Sequence, residues 1–241
     1  MGGLRKKYAW QTTFKKTKME LKLSEFEAVI FDMDGILIDS EPMWKIAMET
    51  VFSELGCKLA KSDFQKTVGL RIDEVISHWN QDQNLGIEDI KLVENDIINR
   101  MIELVSNDPN PLKGVYAMLT FLKSKPMKIG LATSSPNRLL EAVLNGLKIS
   151  QYFDVVHSAE FETYGKPHPA VYLKTAKQLS VHPNKCLVIE DSLNGVISGM
   201  AAKMKVVCIP EKTHLKEPRL SVADYMFEDM ALMLQFIQPG Y

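Results

Sequence analysis

Four short apolar runs in the second half of the chain constrain its fold more than any other feature: KIGLAT at 128–133, DVVHS at 154–158, CLVIE at 186–190 and KVVCIP at 205–210. Each is too short for a stable helix and rich in β-branched residues, so each reads as a buried strand. Between them lie segments of helical spacing. Ser135-Pro136 marks a helix start, with Ser135 as N-cap and Pro136 at the first helical position, running through Leu147. Residues 169–179 and 193–203 follow with the same texture. Strands that alternate with helices require a parallel sheet covered on both faces. A fifth run, EAVIFD at 27–32, belongs to the same sheet but stands about a hundred residues upstream of the others. The expected class is α/β, a doubly wound parallel sheet.

The gap after the first strand has its own character. Trp44, Ala47, Met48, Val51, Phe52 and Leu55 recur at three- and four-residue spacing, as do Ile72, Val75, Ile76 and Trp79, and then Val93, Ile97, Met101 and Val105. NDPNP at 107–111 ends the block. We therefore divide the chain into a basic extension at 1–23, a core made of 24–41 and 113–241, and an all-helical cap at 42–112. A chain of 241 residues is long enough for a core with such an insertion.

The first eighteen residues hold six Lys or Arg and no acid; the remainder carries 23 basic against 30 acidic residues, a net charge of −7. A body that acidic is a poor nucleic-acid binder, since such binding neutralises phosphates with basic groups. No apolar run reaches the ~18–20 residues of a membrane span. Cys57, Cys186 and Cys208 are an odd count without metal-site spacing, and the latter two sit in strand-like apolar runs. The expectation is a cytoplasmic monomer with reduced cysteines, no membrane contact and a small-molecule ligand.

The strand ends carry the chemistry. EAVIFD runs into Asp32-Met33-Asp34-Gly35, two carboxylates at the carboxyl end of a strand, where open α/β sheets bind ligands. Residues i and i+2 share a face, and two acids there repel unless a cation or a shared proton relieves them. KIGLAT ends in Thr133-Ser134-Ser135 at a helix mouth, a setting suited to an anion. Lys166 sits between backbone-restricting neighbours in Gly165-Lys166-Pro167-His168-Pro169. CLVIE ends in Glu190-Asp191-Ser192, where Asp191 or Ser192 can also serve simply as a helix cap. Oxygen ligands without His or Cys suit Mg²⁺, and hydroxyls, lysine and metal together suit a phosphate. None of the five histidines is assigned to metal or catalysis.

FDMDGILIDSEPMW, LATSSP, GKPHPAVY and VIEDSLNGVISGMAA, in this order and with a helical segment between the first and second, resemble the four motifs of the haloacid-dehalogenase-like phosphatases. The likeness spans about residues 26–210 and leans toward the hexitol phosphatase and 2-deoxyglucose-6-phosphate phosphatase group, with β-phosphoglucomutase as a near relative. It implies a Mg²⁺-dependent hydrolase of small sugar or polyol phosphates that works through an aspartyl-phosphate. Asp32 would be the nucleophile and Asp34 the acid and base. Thr133, Ser134 and Lys166 would hold the phosphoryl group. Mg²⁺ would sit on Asp32, Asp191 and the backbone carbonyl of Asp34, with Glu190 supporting it. Arg71, in VGLRIDE, falls where family members contact substrate, a solvated helix-start arginine being the alternative. The mutases carry a histidine three residues after the position of Glu41, where this chain has Trp44; that departure lowers the mutase reading. Dehalogenases lack the second acid, which is present here as Asp34. A phosphosugar mutase and a phosphatase of another small metabolite such as phosphoglycolate are the alternatives.

Overall fold

The computed structural model describes residues 21–57, 63–67, 69–211 and 217–237. Of the basic extension expected at 1–23, residues 1–20 lie outside them. Strand β1 (Ala28–Phe31) is buried along its whole length. The chain then turns through Gly35 into three helices: α1 (Glu41–Glu54), α2 (Ile72–Gln83) and α3 (Ile90–Asn107). Their inward residues are those with helical spacing in the sequence: Ala47, Met48, Val51 and Phe52 on α1, Ile72, Val75, Ile76 and Trp79 on α2, and Val93, Ile97, Met101 and Val105 on α3. Pro42 opens α1 where a missing N–H costs nothing. The Asp89 carboxylate caps α3 by accepting from Leu92 N at 3.1 Å.

The chain returns through α4 (Val115–Lys123) and builds the remainder of the sheet: β2 (Lys128–Thr133), α5 (Asn137–Leu147), β3 (Val155–Ser158), α6 (Ala170–Leu179), β4 (Cys186–Glu190), α7 (Leu193–Ala201), β5 (Lys205–Cys208), β6 (Tyr225–Met226) and α8 (Met230–Ile237). Strand order is β3-β2-β1-β4-β5-β6, and every pairing is parallel. Phe31 lies opposite Leu131 on one side and Ile189 on the other, so β1, β2 and β4 end nearly level. The sequence locates β2 and β4 at their observed bounds. It does not reveal β6, two residues long, or the terminal helix α8.

The pleat sorts the sheet into two cores. Val29, Phe31, Ile129, Leu131, Leu187 and Ile189 pack with residues of α4, α5 and α8 and, without a break, with those of α1, α2 and α3. Ala28, Ile30, Val188 and Val206 face the other way, onto α6 and α7. The three cysteines are free and buried. One expectation is corrected at α5: the helix begins at Asn137, with Pro136 as the flanking residue at ψ 151°, and no side chain caps it. Ser135 is too far back to reach the first free N–H groups, and its hydroxyl is bound elsewhere.

Two chain crossings join the inserted helices to the sheet, and they are paired with each other. Asp39 N donates to Asn110 O at 2.9 Å, Leu112 N donates to Leu37 O at 3.2 Å, and Ile38 and Pro111 form an antiparallel bridge. The connections thus make one joint beside the end of β1.

Phe31 anchors that end, fully buried and edge-on to Phe153 at 6.2 Å between ring centroids. Phe31→Ala should cost about 3–5 kcal/mol, the range for a buried aromatic truncated to alanine. Urea unfolding followed by circular dichroism measures it.

Candidate active site

The direction of chain winding reverses between β1 and β4, the switch point at which open α/β sheets take ligands. The residues that follow these two strands, with the turn after β2, converge there. Asp32 continues β1 and is held by its N–H on Ile189 O at 2.9 Å. Lys166 arrives from the loop before α6 and is 1% exposed. Its Nζ lies 3.0 Å from Asp32 Oδ1 and 2.7 Å from Glu190 Oε1, and it donates to Ala132 O at 3.3 Å.

Glu190 is fully buried and engaged on both oxygens. Oε1 accepts from Lys166 and from Tyr172 Oη at 2.8 Å. Oε2 accepts from Asp191 N, Ser192 N and Ser192 Oγ at 2.9, 3.0 and 3.1 Å. This carboxylate shapes the turn into α7 and fixes the lysine. Ser192 also caps α7, accepting from Gly195 N at 3.0 Å, one of the two cap assignments open in the sequence.

Asp32, Glu190 and Asp191 bring carboxylate oxygens within 4.8 Å of one another, a group that could hold a metal ion. Its charges support this. Three carboxylates against one ammonium leave −2. Burial pushes the Asp32 carboxyl well above its usual range, with Lys166 pulling it down and Glu190 and Asp34 raising it. Burial likewise raises Asp191, and Glu190 and Asp32 add to the effect. Burial also acts to raise Glu190, but Lys166 outweighs it and holds that carboxyl below its ordinary value. For Lys166 burial opposes the charge, and Asp32 with Glu190 more than restores it. Asp32 Oδ1 is buried and meets the Lys166 ammonium at 3.0 Å, out of line for a regular hydrogen bond. A divalent cation among hard oxygen donors would neutralise what one lysine leaves over.

Asp34 points away from this cluster, so its carboxylate is not among the grouped ligands; the family pattern asks only for its backbone carbonyl. Oδ1 accepts from Ser40 Oγ at 2.6 Å and from Trp44 Nε1 at 3.0 Å, and Oδ2 accepts from Ser135 Oγ at 2.7 Å. Sequence reasoning missed all three donors. Ser40 and Trp44 fall within the first motif but touch Asp34 only after the chain turns at Gly35. Ser135 was assigned to a cap.

Of the expected phosphate contacts, Thr133 is buried at the end of β2 and its Oγ1 accepts from Ser135 N at 3.0 Å, which leaves the hydroxyl proton to be donated elsewhere. Ser134 faces the inserted helices, its Oγ donating to Gly69 O at 3.1 Å. Arg71 does not line the cavity. Its Nη1 donates to Glu162 O at 2.8 Å and Ala159 O at 3.3 Å, and its Nη2 to Asp73 Oδ2 at 3.2 Å. In this arrangement it ties the start of α2 to the segment after β3.

Asp32, Asp34, Thr133, Ser134 and Asp191 line a cavity of about 100 Å³, together with Trp44, Met48, Gly69, Leu70 and Val75 of the inserted segment.

A six-stranded parallel sheet with acids at its switch point, a buried lysine and a helical insert after the first strand defines a hydrolase class, and sequence comparison agrees. Residues 29–209 match the haloacid dehalogenase-like hydrolase family. The chain belongs to that family, and within it to the phosphatases. It is 39% identical over 198 residues to hexitol phosphatase B of Escherichia coli (strain K12), covering 82% of this chain and 89% of that one. It is 34% identical over 179 residues to the phosphorylated carbohydrates phosphatase of Thermotoga maritima, covering 73% and 81%. Among solved structures, β-phosphoglucomutase from Clostridium difficile superposes with a TM-score of 0.78 at 27% identity, covering 90% of this chain and 97% of that one. Among the described residues no helix is long and apolar enough to cross a membrane.

Two glycines let the acids approach. Gly35, at φ +69°, would place a Cβ 2.3 Å from Asp191 Oδ2, and Gly195 would place one 1.7 Å from Glu190 Oε1. Gly195→Ala must therefore displace the carboxylate that holds Lys166. It should lower stability by about 1–3 kcal/mol, the range for overpacking a filled interior. Thermal unfolding measures the loss, and an unchanged midpoint would show that Glu190 is not wedged as described.

Proposed function

We propose that this phosphatase hydrolyses small sugar or polyol phosphates in a Mg²⁺-dependent reaction, with Asp32 as nucleophile and Asp34 as acid and base. The observation that carries this reading is the division of labour between two carboxylates two residues apart. Asp32 faces Lys166 and Asp191, whereas Asp34 is turned the other way onto three neutral donors. One is placed for bonding to phosphorus, the other for moving a proton.

In the first step an Asp32 oxygen bonds to phosphorus, the bond to the leaving oxygen breaks, and Asp34 protonates that oxygen. In the second, Asp34 takes a proton from water, which attacks the aspartyl-phosphate and releases inorganic phosphate with Asp32 restored. Lys166 and the Thr133 hydroxyl steady the phosphoryl oxygens beside the N-terminus of α5. Asp32, Asp191 and the backbone carbonyl of Asp34, backed by Glu190, would hold Mg²⁺, which would supply charge neutralisation. Trp44 supports hydrolysis over phosphoryl return to a sugar. An indole N–H only donates, so it cannot deprotonate a substrate hydroxyl.

The cavity supports a lid action for the inserted helices. At about 100 Å³ it lies well below the ~300 Å³ at which small-molecule pockets begin. It has room for a phosphoryl group and little more, so the helices would have to shift to seat the sugar as well. Closing them again excludes water while the leaving group departs. The same enclosure favours small metabolites over nucleotides and phosphopeptides.

Asp32→Asn should retain the fold by circular dichroism and lose turnover; activity within about tenfold of wild type would remove Asp32 as nucleophile. Asp34→Asn should lose about 10²–10⁴-fold, least with p-nitrophenyl phosphate, whose leaving group needs no proton. Chelation with EDTA should abolish hydrolysis and Mg²⁺ restore it. Calorimetric titration of the same protein should show Mg²⁺ binding that Asp191→Asn weakens, a readout independent of turnover. In a metabolite panel, hexose 6-phosphates, 2-deoxyglucose 6-phosphate or hexitol phosphates should rank highest in kcat/KM. A nucleotide or phosphopeptide ranking first would overturn the substrate reading and leave the chemistry standing.

A further inference from the structure

We infer that Trp44 is a positioning residue for Asp34, and that through it the docking of the first inserted helix sets the orientation of the group that exchanges protons with substrate. The inference rests on the reading of Asp34 as acid and base. Trp44 is half-buried at the start of α1 and lines the cavity, and an aromatic wall would be its simplest function there. The geometry assigns it more. Its indole Nε1 donates to Asp34 Oδ1 at 3.0 Å, beside the Ser40 hydroxyl at 2.6 Å on the same oxygen. The other oxygen meets the Ser135 hydroxyl at 2.7 Å.

The three donors differ in kind. The Ser40 and Ser135 hydroxyls can rotate and become acceptors, so either tolerates a proton on Asp34. The indole N–H has no lone pair to offer, and the lone pair of Oδ1 that it occupies cannot take one. Trp44 therefore breaks the equivalence of the two oxygens: Oδ1 carries one donor that cannot turn, whereas Oδ2 meets a hydroxyl that can, so proton exchange is favoured at Oδ2. Ser135 follows β2 in the sheet and Trp44 belongs to the inserted helices, so Asp34 is gripped from both sides of the joint. When α1 moves, the constraint on Oδ1 moves with it, and Asp34 is fully oriented only with the helices docked.

Trp44→Phe keeps a flat apolar wall and removes the donor. We expect kcat for a hexitol phosphate to fall about 10- to 100-fold, the worth of a hydrogen bond to a charged group, with KM little changed. With p-nitrophenyl phosphate the loss should be several-fold smaller. Trp44→His, which returns an N–H, should recover part of the hexitol phosphate rate. A rise in KM with kcat unchanged, or equal losses on both substrates, would make Trp44 a wall only and overturn the inference. Should both variants fail to fold, the wild-type chain supplies the test. Its Trp44 indole proton should resonate downfield and move upfield in Asp34→Ala, and a resonance indifferent to that change overturns the inference too. Asp34→Asn run alongside separates the levels. If it shows no leaving-group dependence, the acid role itself fails; if it does and Trp44→Phe does not, only the role of Trp44 fails.

Discussion

A buried ammonium between two buried carboxylates organises the catalytic end of this protein. Lys166 is withdrawn from solvent, which by itself would drive it neutral, and remains a cation because Asp32 and Glu190 stand within 3.0 and 2.7 Å. Glu190 in turn keeps its charge through Lys166 and through the backbone N–H groups of the turn that follows it. Removing one partner from such a set is far more costly than never having built it, because the survivor is left desolvated and unpaired. The parallel register makes the set possible by ending β1 and β4 side by side, and Gly195 makes room for it. The same triad falls one charge short of neutrality with respect to Asp32, and two short once Asp191 is counted. That shortfall is the physical basis for expecting a divalent ion.

The fold was legible because its strands are buried on both faces. Apolar β-branched runs such as CLVIE contrast sharply with what flanks them, and three of the five noted in the sequence, EAVIFD, KIGLAT and CLVIE, end in polar residues that form the site. The helical insert was legible for the complementary reason: α1, α2 and α3 each bury one stripe, so their apolar residues keep the period of a helix. Legibility failed where the signal needs length or amphipathicity. Tyr225–Met226 is too short to show alternation, and Met230–Ile237 is apolar nearly all round and carries little period.

The site divides along the same line. Asp32, Asp34, Thr133, Glu190 and Asp191 can be read together from the sequence because each lies at or just past a strand end, where chain direction dictates proximity. Partners across the molecule cannot. Nothing local to Ser135 says that its hydroxyl reaches Asp34, 101 residues earlier in the chain. Arg71 is a second case: its guanidinium meets backbone carbonyls 88 and 91 residues away, which only three-dimensional placement reveals.

The paired crossings at 37–39 and 110–112 have a mechanical consequence. Two strands of backbone bonded to each other bend most readily about one line, so the helices they carry would turn as a hinged plate. Displacement in such a plate grows with distance from the hinge. Trp44 follows the joint by only a few residues and would shift little. Gly69 and Leu70 line the cavity from beyond α1 in the chain, and a wall carried farther from the joint would travel through a wider arc. Opening would then begin by parting Ser134 from Gly69 and Arg71 from its carbonyls, and end at Asp34. On the proposed mechanism the outer contacts would govern access and the inner ones proton transfer, so residues of the outer rim could vary with the shape of the substrate while the chemistry near the pivot stayed the same.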